Sequence, residues 1–328
     1  MISSMTDSAV KAAIAAISSE SATTAEKIQM LMEIATGLQK KPKTSQDLRH
    51  AIGLFDRAYQ MCGLEYVLLK ARAKVGKAGA LQMIPDGDSQ MLQEARADYE
   101  EALPILQQFA TAEEVAAAQM NLGLVLQSLV PENLARITDS IHLYHQALRV
   151  FTWEKYPQEY AILYNNIAIA YLSMPMSSER ESLRQGLAIQ SFETALKHIN
   201  IIDHPREYAM LQNNLGNALQ YLVSSHPVEN NLRAILAYNE ALKVRNPQNT
   251  PLEYANTISN KANVLFNLPD NPEKPELGNL RNLLQAREYY QEAWQIFTEN
   301  QQREQAEIVG KALEDLAAEI QVWENNHV

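Results

Sequence analysis

The 328-residue chain has a single cysteine, Cys62, so no disulfide can close within it and no site can rest on paired cysteines. A lone thiol suits a reducing compartment, and a cytoplasmic protein is expected. Glycine and proline are scarce, 11 and 13 residues, which leaves too few turn formers for an all-β fold of this length. Basic residues are outnumbered, 28 Lys and Arg against 39 Asp and Glu, for a formal charge of −11. That field repels phosphate backbones and no local basic stripe offsets it, so nucleic acid is not an expected partner. No apolar run approaches the roughly 20 residues that a bilayer span needs, and the start, MISSMTDSAV, lacks the basic and apolar regions of a secretory signal. Membrane insertion is not expected either.

Catalytic signatures are missing as well. There is no glycine-rich phosphate loop, no zinc-protease histidine pair and no nucleophile elbow. His142 and His145 lie three apart on a helix, but no carboxylate or cysteine cluster completes a metal site around them, so they read as exposed side chains. The neighbours Glu100-Glu101 and Glu113-Glu114 diverge on a helix and read as solvated surface. Neither a catalytic residue, a metal nor a cofactor is expected.

What the chain does have is a repeat. Pro157 to Leu172 reads PQEYAILYNNIAIAYL, Pro205 to Leu222 PREYAMLQNNLGNALQYL, and Pro251 to Leu268 PLEYANTISNKANVLFNL. Each copy reads as an amphipathic helix opened by a proline, whose missing N–H costs nothing in the first turn, with a glutamate two residues on to meet the helix dipole. A second helix type alternates with it and carries Ala, an aromatic four residues on and Ala three further. The matches are Ala51-Phe55-Ala58, Ala95-Tyr99-Ala102, Ser140-Tyr144-Ala147, Ala188-Phe192-Ala195, Ala234-Tyr238-Ala241 and Ala286-Tyr290-Ala293. Residues three and four apart share a helix face, so small, large, small makes a notch and a knob that only a neighbouring helix can bury.

The first helix type has a small residue of its own at Gly79, Gly123, Ala168, Gly216 and Ala262, in every case 21 residues after the last alanine of the preceding notch. The junction between repeats is therefore fixed, while the turn inside each repeat varies in length and holds Pro85, Pro131, Pro175, Pro227 and the Pro269–Pro275 stretch. Counting back adds Ala35 in a helix over 23–40, and a short helix is expected over 6–19. Counting forward reaches Glu314, a carboxylate where the others are Gly or Ala, so 301–328 is expected to be a terminal capping helix. The expected fold class is all-α, with an N-terminal helix or tail over 1–20 and about six antiparallel helix pairs over 21–300.

Leu122-Gly123 and Leu215-Gly216, each followed by the alanine and aromatic notch, resemble the tetratricopeptide repeat (TPR) signature. The notch recurs every 44 to 52 residues rather than about 34, and Trp153, Trp294 and Trp323 fall away from the signature tryptophan. The period is closer to the longer-helix variety found in kinesin light chains and in many cyanobacterial repeat proteins. The resemblance implies a right-handed α-solenoid whose first-type helices line a concave surface that holds extended peptides or a partner's helix. It places in that groove Asn121, Asn166, Asn213, Asn214, Asn217, Gln220, Tyr221, Asn256, Asn260 and Asn263.

An asparagine offers a carbonyl acceptor and an amide donor, the same pair that a peptide backbone offers. One per repeat could clamp an extended chain whatever its side chains. The same residues could instead bond across neighbouring helices and fix their register. The carboxylate clamp of chaperone-tail binders also needs basic residues, for which only Lys77 and Lys261 stand on first-type helices, and such binding is not expected. Together these features imply a non-enzymatic adaptor or assembly scaffold with a protein or peptide partner. The alternative is a peptide or small-ligand sensor whose superhelix changes curvature on binding.

Overall fold

A computed structural model describes Ala15 and residues 22–85, 87–175, 180–274 and 278–327. The expected helix over 6–19 lies outside them apart from Ala15. The described residues form thirteen α-helices and no strand. They are α1 (Thr24–Lys40), α2 (Ser45–Met61), α3 (Val67–Gln82), α4 (Ser89–Phe109), α5 (Ala112–Leu129), α6 (Ile137–Ala147), α7 (Pro157–Leu172), α8 (Glu181–Leu196), α9 (Pro205–Gln220), α10 (Pro227–Leu242), α11 (Pro251–Phe266), α12 (Leu280–Glu299) and α13 (Arg303–His327). Six antiparallel pairs follow one another, α1 with α2 through to α11 with α12, and α13 packs on α12. The chain divides into two compact units, one ending at Thr152 and the other beginning at Trp153.

Prolines open α7, α9, α10 and α11 at the first turn, each with a glutamate two positions on. At two of the five junctions the constant spacing has a local cause. In the turn before α9 the Asn200 side-chain oxygen accepts from the backbone N–H of Ile202 (2.9 Å) and Asp203 (3.0 Å). Asn246 does the same before α11, accepting from Gln248 (3.2 Å) and Asn249 (2.9 Å). Both asparagines stand five residues before a helix-opening proline, and an asparagine that mimics a backbone turn leaves no slack for insertion. The turns inside the repeats are held differently. Buried Asn282 at the head of α12 donates to the carbonyls of Leu268 (2.9 Å) and Pro269 (3.1 Å), and Gln185 of α8 bonds the backbone at Tyr221 and Val223, both at 2.8 Å. One buried amide can anchor a loop of any length, which is why these turns tolerate variation.

All six notches are buried. Ala51, Phe55 and Ala58 lie in the core of the first unit with Ile28, Leu31 and Ala35, and Ala286, Tyr290 and Ala293 lie in that of the second with Ile258 and Leu265. Four residues after each last alanine comes a further core side chain: Cys62, Leu106, Phe151, Ile199 and Phe297 are all buried. The exception is Arg245. Its guanidinium Nη1 donates to the hydroxyl of fully buried Thr257 (2.8 Å) and to the Glu253 carbonyl (3.4 Å). Burial pulls its pKa below the ordinary arginine value, only partly offset by the charge of Glu253. The residues that match Thr257 one and two repeats upstream are Leu211 and Leu163. Replacing a buried cation and its partner by apolar side chains is commonly stabilising. Arg245→Ile with Thr257→Leu is expected to raise unfolding stability by about 1–2 kcal/mol, read from urea denaturation. Thr257→Leu alone should lower it, because it removes the strongest partner of the guanidinium.

Candidate functional site

Two of the small residues of the first-type helices, Gly123 and Gly216, receive the rings of the helices that follow them. A Cβ added to Gly123 would lie 2.5 Å from the ring of Tyr144, and one on Gly216 2.6 Å from that of Tyr238. Each buried phenol then needs a hydrogen-bond acceptor. Tyr144 donates to Gln127 (2.9 Å), while Tyr238 donates to Asn217 (2.7 Å) and Gln220 (3.3 Å). Desolvation raises the pKa of both hydroxyls, so they remain donors at any ordinary pH. Gln127 and Gln220 each stand four residues after their glycine, whereas Leu172 fills that place in the repeat whose ring is Phe192. Paired helices, a repeated notch and rings set onto small residues make the fold TPR-like.

The expected groove residues of the second unit sit on α7, α9 and α11, where α9 contacts α7 on one side and α11 on the other. They do not behave alike. Asn165 and Asn166 of α7 and Asn213 of α9 are more than nine-tenths buried and, with Asn214, form a chain of amides. Asn213 Nδ2 donates to Asn214 Oδ1 (3.0 Å), Asn214 Nδ2 to Asn165 Oδ1 (2.7 Å), and Asn165 Nδ2 to Asn166 Oδ1 (3.3 Å). These asparagines bond across neighbouring first-type helices. Asn217 and Gln220 are half-buried and serve the Tyr238 hydroxyl.

A more open part of the set gathers around Tyr221, just past the end of α9. Its side chain is 66% exposed, and its hydroxyl accepts from Asn263 Nδ2 of α11 (3.2 Å). Its backbone carbonyl is held by Gln185 (2.8 Å). Tyr290, whose pKa burial pushes up to about 12, also feels the Tyr221 phenol. Asn256 is exposed and Asn260 half-buried on the same helix as Asn263. In the first unit, Asn121 is half-buried on α5 and stands against the buried Tyr99 of α4.

Neither candidate lysine is free for a ligand. Lys77 is paired with Asp56 (2.9 Å) and Glu94 (2.7 Å), and Lys261 donates to the Tyr289 hydroxyl (3.0 Å) with its ammonium 4.7 Å from the ring centre. Tyr208 and Tyr254, each three residues after a helix-opening proline, tie helix to helix: Tyr208 donates to Glu240 (2.9 Å) and Tyr254 to Glu292 (3.2 Å). Each glutamate precedes the last alanine of its notch, a pairing visible in the sequence only once the helices are known to lie side by side. A cleft of about 1040 Å³ between α12 and α13, lined by Trp294, Phe297 and Ile308, includes none of the amides. Among the described residues no group of three His, Cys, Asp or Glu is placed to hold a metal ion, and no helix is long and apolar enough to cross a membrane.

No protein-family model and no curated protein matches the chain. Among solved structures it is similar to the TPR2AB domain in a pHSP90 complex of yeast Sti1, at 15% identity over 89% of this chain and 99% of that one, with a TM-score of 0.28. It is also similar to a circular tandem repeat protein with a novel repeat topology and enhanced subunit contact surfaces, at 18% identity over 90% of this chain and 70% of that one, with a TM-score of 0.32.

Proposed function

We propose that the chain is a non-catalytic scaffold that holds another protein or a peptide, and that Tyr221 with Asn256, Asn260 and Asn263 makes the contact in its second unit. The observation that carries this reading is the exposed Tyr221 ring. Its hydroxyl and its backbone carbonyl are both tied down, by Asn263 and Gln185. An aromatic held in place loses little freedom on binding, and such residues dominate the energy of protein interfaces. The surrounding amides supply donors and acceptors suited to a partner's main chain. Asn166, Asn213 and Asn214 then support the face from behind, while Asn217 and Gln220 fix the packing beneath it.

Affinity capture from the native cell, comparing the natural chain with Tyr221→Ala and with Asn256→Ala/Asn263→Ala, tests the reading. Recovery of the natural partner should fall at least tenfold with Tyr221→Ala, on the order of 1.4 kcal/mol or more. Undiminished recovery with both variants sinks it.

A further inference from the structure

One bond of the amide chain crosses from helix to helix, and the residues that make it recur one repeat on without making it. Asn214 stands two residues before Gly216, and it donates to Asn165, three residues before Ala168 on the preceding first-type helix. One repeat on, Asn260 stands two residues before Ala262, and Asn213 stands three before Gly216. The same bond is therefore encoded between α11 and α9. It is not made. Asn213 Oδ1 is sealed from solvent with no hydrogen-bond partner, and Asn260 has none among the described residues. A buried carbonyl without a donor is unfavourable, so the arrangement that supplies one is a competing state of the protein.

The tie that α9 and α11 do make lies elsewhere. Asn263 reaches Tyr221, eight residues along from Asn213 and past the end of α9. That is roughly 12 Å along α9 at 1.5 Å rise per residue, while on α11 Asn263 lies one turn, roughly 4.5 Å, from Asn260, so the tie is made from the next turn of α11 and the encoded contact stays open. Between α7 and α9 the matching contact is closed. We infer that α11 pivots about the Tyr221–Asn263 contact between this open packing and a closed one in which Asn260 Nδ2 donates to Asn213 Oδ1. Closing completes a continuous row of amides, Asn260 to Asn213 to Asn214 to Asn165 to Asn166, with every donor pointing the same way. The device belongs to the helix layer itself and stands whether or not Tyr221 contacts a partner.

Two measurements on the full chain test it. The first is a double-mutant cycle of Asn213→Ala and Asn260→Ala followed by urea denaturation, with Asn165→Ala and Asn214→Ala as the reference cycle for a bond already formed. If the closed packing is populated, the midpoint shift of the Asn213/Asn260 double variant is smaller than the sum of the single shifts, as in the reference cycle. Additive shifts at 213 and 260 beside non-additive shifts at 165 and 214 overturn the inference. The second needs no variant to fold: solvent exchange of side-chain amide protons by NMR in the natural protein. The Asn260 amide should exchange about as slowly as the Asn214 amide, which is half-buried like it and whose bond is formed. Exchange several-fold faster than Asn214 overturns the pivot.

Discussion

Gly216→Val is expected to destabilise the protein by about 3 kcal/mol. The first added carbon would sit 2.6 Å from Cε1, 2.8 Å from Cζ and 2.9 Å from Cδ1 of Tyr238, closer than side-chain carbons approach real neighbours. The ring cannot turn aside, because it is fully buried and its hydroxyl is bound to Asn217 and Gln220. Relief means moving α9 away from α10 or losing the phenol's acceptors, and overpacking of that kind costs about 1–3 kcal/mol before the two γ-methyls and the broken hydrogen bonds are counted. Gly216→Ala should cost less, about 1 kcal/mol, because alanine recovers close to that amount in helix propensity. Urea unfolding followed by circular dichroism reads both. An unchanged midpoint for Gly216→Val would show that the ring is not locked.

The same lock shows how far the sequence could be read. Six pairs, a terminal helix and the glycine positions follow from the notch and the fixed interval, because a surface that must be buried at every repeat leaves the same mark at every repeat. The partner of each glycine is less plain. The interval is constant from the preceding notch, yet Gly123 and Gly216 receive the rings of the following helices, Tyr144 and Tyr238, across a turn whose length varies. At two of the five junctions the interval is held by the Asn200 and Asn246 turns, and an asparagine five residues before a proline was a signal for them.

The amides were legible as a pattern and not as a direction. Adjacent helix positions differ by about 100° in facing, so the pair at 165 and 166 or at 213 and 214 can turn one member to the neighbouring helix and the other elsewhere. Which one does so depends on how near that neighbour lies, and no single helix encodes that distance. Gln220 carried a clue readable in part, since glutamine stands four after the small residue where the ring is Tyr144 or Tyr238 and leucine where it is Phe192, while Met83 stands four after Gly79, where the ring is Tyr99.

Lys77→Met should cost about 2–3 kcal/mol, and the loss should depend on pH in one direction. Lys77 of α3 reaches back to Asp56 of α2 (2.9 Å) and forward to Glu94 of α4 (2.7 Å), with buried Asp98 at 3.9 Å. Lys74, one turn away, holds Asp98 (2.7 Å) and Glu101 (2.9 Å). Two ammonium groups thus serve four carboxylates, and removing one leaves Asp98 among like charges with a single cation. Breaking a fully buried pair costs about 3–5 kcal/mol; Asp56 and Glu94 are partly exposed, so solvent screening sets the lower figure here. Burial works against the charge on Lys77, but its hydrogen bonds with Glu94 and Asp56 outweigh that and hold its pKa above the ordinary lysine value. A group whose pKa is raised on folding stabilises fully below its unfolded pKa, about 10.4 for lysine, and loses that contribution as pH climbs through the folded value. The gap between the natural chain and Lys77→Met should therefore stay constant from neutral pH to about 10 and narrow only above it. Urea denaturation of both proteins across that range measures the gap. A gap that is absent at neutral pH, or that widens in alkali, would mean that Lys77 holds α2, α3 and α4 together by its methylene stem and not by its charge.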